Sequence, residues 1–174
     1  YSTIGQVGYL MLGIMANTTR GVEAMALYLV AYLFMNLGAF ACVAAVWNSS
    51  RSESLEAFRG LARRSPALAF CLTLLLLSLA GIPPMVGFFG KFLLFGAAVE
   101  SQLMWLALVA VVNSAIALFY YVNIIRLMYL HQPTDVSPVR PALSLRLAVG
   151  VCTAATVGLG LFPEGLLQWI SRIG

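Results

Sequence analysis

Residues 1–19, 24–50, 65–90 and 101–125 carry no charged side chain, and a fifth, shorter run covers 147–163. No feature of the chain limits its fold more. A helix needs roughly 20 apolar residues to cross the hydrocarbon of a bilayer. Backbone polar groups at that depth must be satisfied within the protein, which a helix does internally. The composition agrees: 61% of residues are hydrophobic and 9% charged, against about 25% charged in soluble domains. The expected fold is all-α, a polytopic transmembrane helix bundle that uses the lipid bilayer as its solvent. The first run has no basic n-region and further apolar runs follow it, so it does not read as a signal peptide.

The charges that remain are mostly basic. Nine arginines and one lysine face six acids, for a net charge of +4. Arg51, Arg59, Arg63 and Arg64 gather between two apolar runs, where anchoring at the membrane edge accounts for them. Nucleic-acid binding is rejected, since no soluble module exists to carry it. Cys42, Cys71 and Cys152 each sit inside an apolar run and form no CxxC. They read as small core hydrophobes.

The expected organisation is one transmembrane domain over residues 1–174, with about six membrane segments: 1–17, 21–47, 66–81, 84–99, 102–129 and 143–173. A short amphipathic surface helix is expected at about 52–64, with Leu55, Phe58 and Leu61 on one face and Ser50 and Glu53 spaced as a capping box. Pro163 is expected to kink or end the last segment. The chain begins without Met and without an N-cap signal, so it is expected to be a fragment that lacks upstream sequence.

Residues 66–99 are one apolar run until Lys91. A straight helix over about 34 residues would be ~51 Å long, well beyond the ~30 Å of hydrocarbon. The divider is "GIPPMVGFFGKF", residues 81–92. Proline removes a helix hydrogen bond, and glycine lets a neighbour approach the backbone closely. An interruption is therefore expected between about Leu79 and Phe92. The only lysine of the chain, Lys91, follows it. A lysine at membrane depth costs a few kcal/mol on insertion scales. Snorkelling to the headgroups would require a position nearer a segment end. A desolvated lysine gives up its proton more readily, so Lys91 is the candidate proton relay. Tyr28, Tyr32 and Asn36 follow at i, i+4 and i+8 and share a helix face. They are possible further relay groups, with interhelical hydrogen bonding as the competing reading. Asn113, Tyr120 and Asn123 form a looser stripe.

Four stretches, "YSTIGQVGYLMLGIMA", "YLVAYLFMNLGAF", "FRGLARRSPALAFCLTLLLLSLAGIPPMVGFFGKF" and "NSAIALFYYVNIIRLMY", occur in this order. Together they resemble the C-terminal part of the antiporter-like membrane subunits of respiratory complex I, the NADH–quinone oxidoreductase. The same superfamily includes the Mrp-type cation/proton antiporters, which are the alternative. Among the paralogues, the pairing of "GFFGKF" with "YLxxYxxxNLGAF" is similar to the N type. The L type carries His, His and Lys where this chain has Tyr28, Tyr32 and Asn36, and the M type has glutamate where Lys91 stands. The resemblance implies the C-terminal part of a fourteen-helix antiporter-like fold with a discontinuous helix. It implies proton translocation coupled to quinone reduction, with Lys91 in the relay. The expected partners are the other membrane-arm subunits. NADH, FMN, iron–sulfur clusters and quinone are expected in those partners and no cofactor in this chain, which contains no GxGxxG and no cysteine cluster. The expected location is the bacterial inner membrane.

Overall fold

The computed structural model describes residues 2–52, 54–133, 137–139, 141–162 and 165. Among them it contains seven α-helices and no strand. They are α1 (Ser2–Ala16), α2 (Thr19–Ser50), α3 (Leu61–Arg64), α4 (Pro66–Ala80), α5 (Val86–Glu100), α6 (Met104–Leu130) and α7 (Leu143–Leu161). A 3-10 turn, Leu55–Phe58, precedes α3. Three of the helices, α2, α6 and α7, are long and apolar enough to cross a membrane by length and composition. Helices α1, α4 and α5 have 15 residues each, about 22 Å at 1.5 Å per residue.

Helix α2 is the hub, packing against α1, α4, α5 and α7. Thr18 starts it, its hydroxyl accepting from the Gly21 amide at 3.1 Å. The buried face of α2 is rich in small residues, among them Gly21, Ala24, Ala31, Gly38, Ala39 and Ala45. Small side chains let helix backbones come close, which is how helices associate where lipid supplies no hydrophobic drive. Its outer face presents Leu29, Leu33, Leu37 and Phe40, all exposed. The outer face of α6 is equally apolar, with Trp105, Leu108, Ile116 and Phe119 exposed.

The expected interruption occupies residues 81–85. Gly81 ends α4 in the left-handed region (φ 88°), and its amide reaches the carbonyls of Leu77 and Ser78. The Pro83–Pro84 peptide is cis. Two glycines of α5 then admit neighbouring helices. A Cβ on Gly87 would meet the Ser78 carbonyl oxygen at 2.0 Å, and one on Gly90 would meet the Tyr28 ring at 2.6 Å. The space that glycine leaves here is filled by protein.

The surface helix expected at 52–64 is instead two short pieces. Gly60 (φ 62°) separates the 3-10 turn from α3, and a Cβ there would meet Pro133 at 2.6 Å. The Gly60 amide donates to the Leu127 carbonyl at 3.1 Å. Tertiary contact with the end of α6 thus overrides local periodicity. Ser50 does not open this stretch. It is the last residue of α2, and its hydroxyl donates to the Val46 carbonyl at 3.0 Å. The cap belongs to Ser54, which accepts from the Glu56 amide at 3.2 Å. Glu53 and Pro163, and the end of the last segment beyond residue 162 apart from Gly165, lie outside the described residues. The clustered arginines find separate partners. Arg51 stacks on Trp47 (5.2 Å), Arg59 pairs with Glu56 (2.7 Å), and Arg64 is buried and donates to the Ala57 and Ser137 carbonyls.

Candidate functional site

Helix α4 stops inside the bundle, so its last carbonyls have no partner within the helix. Such orphan oxygens carry the negative end of the helix dipole and must find donors. Lys91 supplies them. Only 3% exposed, it donates from Nζ to the Leu79 carbonyl at 2.8 Å and the Ala80 carbonyl at 3.2 Å. Its third contact is Ser114 Oγ on α6, at 3.1 Å. An ammonium has three donors, so all three are engaged. The Tyr9 ring lies 4.6 Å from Nζ, close enough for its face to favour the cation.

No carboxylate pairs with Lys91 among the described residues. Glu100 is at the far end of α5, bridged to Arg20 at 2.7 Å. The charge is held by carbonyl dipoles, a hydroxyl and a ring. Among the described residues this buried cation has no fixed counter-ion, so losing its proton breaks no ion pair there.

A second polar cluster joins the first through one atom. Gln6 on α1 is 1% exposed. Its Nε2 donates to the same Leu79 carbonyl at 3.4 Å and to the Tyr121 hydroxyl at 3.3 Å. The Tyr28 hydroxyl donates to Gln6 Oε1. The Ser2 and Tyr121 hydroxyls share a hydrogen bond of 2.5 Å. Asn113 donates to the Tyr9 hydroxyl at 3.0 Å. Helices α1, α2, α4, α5 and α6 therefore each contribute a group to one network.

The structure divides the residues singled out from sequence. Lys91 and Tyr28 are buried and belong to the network. Tyr32 and Asn36 are half-buried, and neither side chain forms a hydrogen bond among the described residues. Asn113 joins the network through Tyr9. Gln6 and Ser114 were missed, and each is an uncharged polar residue within a largely apolar helix. The lone glutamine in the charge-free run 1–19 was the available signal. A cavity of about 270 Å³ lies beside Lys91 between α5 and α6, with Ser114, Phe88, Phe92, Phe95 and Leu118 on its wall. Among the described residues no cluster of three His, Cys, Asp or Glu could hold a metal.

This architecture, an apolar-surfaced helix bundle with a lysine buried at a helix break and no carboxylate beside it among the described residues, defines a multi-pass membrane protein. Residues 1–117 match the family described as NADH:quinone oxidoreductase/Mrp antiporter, transmembrane, and the chain belongs to that family. It is 42% identical to NADH-quinone oxidoreductase subunit N 2 of Acidobacterium capsulatum, over 98% of this chain and 35% of the relative. It is 41% identical to NADH-quinone oxidoreductase subunit N of Moorella thermoacetica, over 97% of this chain and 36% of that relative. The chain thus spans about a third of the length of the curated relatives it matches. Among solved structures, it superposes on a chain of respiratory complex I from Thermus thermophilus with bound aureothin. That match has TM-score 0.80 and 29% identity, covering 97% of this chain and 38% of the other. A chain of the Mrp complex from Dietzia shares the fold (TM-score 0.81, 24% identity, 95% and 39% covered).

Proposed function

We propose that this chain is the C-terminal part of an N-type, antiporter-like subunit of a NADH–quinone oxidoreductase in the bacterial inner membrane. In this reading it forms a single membrane domain and carries protons across the bilayer, driven by quinone reduction elsewhere in the complex. Lys91 is the relay group. The observation that carries the reading is the Lys91 cradle, a buried ammonium held by two helix-end carbonyls and a hydroxyl with no carboxylate. Tyr28 acts through Gln6, and Tyr32 and Asn36 are given no step. The partners are the other membrane-arm subunits. NADH, FMN, the iron–sulfur clusters and quinone are bound by partners and not by this chain.

The names of the curated relatives support complex I over an Mrp-type cation/proton antiporter, which is matched at the level of fold. Affinity purification of the full-length subunit from native membranes separates the two. The proposal expects peripheral NADH-oxidising subunits in the same particle. A particle that lacks them and contains only antiporter subunits would contradict it.

A further inference from the structure

We propose that Ser114 is the hydroxyl through which Lys91 exchanges its proton. The inference rests on the relay reading of Lys91 above and adds the residue that takes the proton next.

The donors and acceptors around Nζ balance in both protonation states of Lys91 only through Ser114. In the ammonium form, Lys91 donates to Leu79 O, Ala80 O and Ser114 Oγ. The Ser114 hydroxyl in turn points its hydrogen at Ala80 O, 3.1 Å away. Every group is satisfied. A neutral amine has two N–H donors and one lone pair, and the lone pair needs a donor. The two carbonyls only accept. The Tyr9 ring face also only accepts, and the Gln6 amide donors are engaged elsewhere. Among the groups hydrogen-bonded to Lys91, Ser114 is the one that both donates and accepts. Turning its hydroxyl hydrogen from Ala80 O to Nζ satisfies the neutral form, while the two remaining N–H groups keep the carbonyls. Neither form requires the backbone to move.

Ser114 also faces the right way. Among the described residues, Lys91 and Ser114 supply the only polar side chains on the wall of the 270 Å³ cavity between α5 and α6. A cavity of this size has room for several waters at about 30 Å³ each. Lys91 is buried and Ser114 is half-buried, so the hydroxyl is the more accessible of the two polar groups on that wall. The transfer balances. The Ser114 hydroxyl first swings its hydrogen from Ala80 O to a water in the cavity. One N–H bond of Lys91 then breaks as Ser114 Oγ takes that proton, and the original hydroxyl proton passes to the water. The charge leaves on that water. Ser114 ends as a neutral hydroxyl turned toward the amine, and no electrons are exchanged.

The test uses the complete complex in proteoliposomes, with Ser114→Ala, Ser114→Thr and Lys91→Ala side by side. The rate of NADH-driven proton uptake and the assembled complex per membrane are read together. Losing a positioned proton-transfer group costs about a hundred-fold or more in a transfer step. Ser114→Ala is therefore expected to pump at least ~10-fold more slowly, with assembly preserved. Ser114→Thr keeps the hydroxyl and is expected to restore most of the rate. A purely packing role would not follow the hydroxyl in this way. Normal pumping in Ser114→Ala with slow pumping in Lys91→Ala overturns the role of Ser114 and leaves the relay reading standing. Normal pumping in Lys91→Ala overturns the relay reading itself. If Ser114→Ala and a second hydroxyl-free variant, Ser114→Gly, both fail to assemble while Ser114→Thr assembles, Ser114 is structural and the proposal falls.

Discussion

The Leu79 carbonyl and the Lys91 ammonium meet at 2.8 Å across the break between α4 and α5, twelve residues apart in sequence. The helix that ends creates the acceptor, and the helix that begins delivers the donor. Sequence features that look costly one at a time satisfy each other here. The two prolines and Gly81 strand carbonyls at the end of α4, and the buried lysine covers them.

The close approach at Gly87 predicts a sharp contrast between glycines of one helix. Gly87→Ala would drive a methyl into the Ser78 carbonyl, a backbone atom that cannot step aside. Overpacking of this kind costs about 1–3 kcal/mol or more, so assembled complex in membranes is expected to fall. Gly96→Ala meets nothing within 4 Å and is expected to be neutral or stabilising by up to about 1 kcal/mol. Quantifying assembled complex on native gels checks both. Equal levels for the two variants would contradict the packing at Gly87.

The tyrosines of α2 are expected to separate. Tyr28→Phe leaves Gln6 Oε1 buried without its donor, a loss of about 1–3 kcal/mol. It is expected to lower the melting temperature of the purified complex and to slow pumping. Tyr32→Phe removes a hydroxyl that forms no hydrogen bond among the described residues, and it is expected to match wild type in both measurements.

Why sequence grouped those residues and structure parted them is a matter of geometry. A step of four residues overshoots a 3.6-residue turn by about 40°. By Asn36 the stripe that starts at Tyr28 has turned by about 80°, out of the core and toward its edge. The helical class, the apolar runs and the break at "GIPP" were legible because each follows from local chemistry. Lys91 was legible because a single charge in such a run is conspicuous. Gln6 and Ser114 were not, since a neutral polar residue in an apolar helix costs little and its partner depends on how helices pack. The split at Gly60 was hidden for the same reason. Its backbone conformation answers to Pro133 and Leu127, more than sixty residues away.

The Arg20–Glu100 bridge is expected to matter little. Its side chains are 75% and 53% exposed, and exposed ion pairs contribute about 1 kcal/mol or less. Arg20→Gln is expected to shift the melting temperature of the complex no more than Glu100→Gln does, and to leave pumping unchanged. A large loss in either variant would give that end of α5 a role beyond surface pairing.

The most direct test of the account is the rate of NADH-driven proton uptake by complex carrying Lys91→Ala, reconstituted in proteoliposomes. Assembly is expected to hold, because no ion pair among the described residues is broken and the Leu79 and Ala80 carbonyls keep Gln6 and Ser114 as donors. Proton pumping and the quinone reduction coupled to it are expected to fall. Lys91→Arg is not expected to restore them, since a guanidinium keeps its proton. Wild-type pumping in the alanine variant would contradict the account and leave Lys91 as no more than the cap of a broken helix.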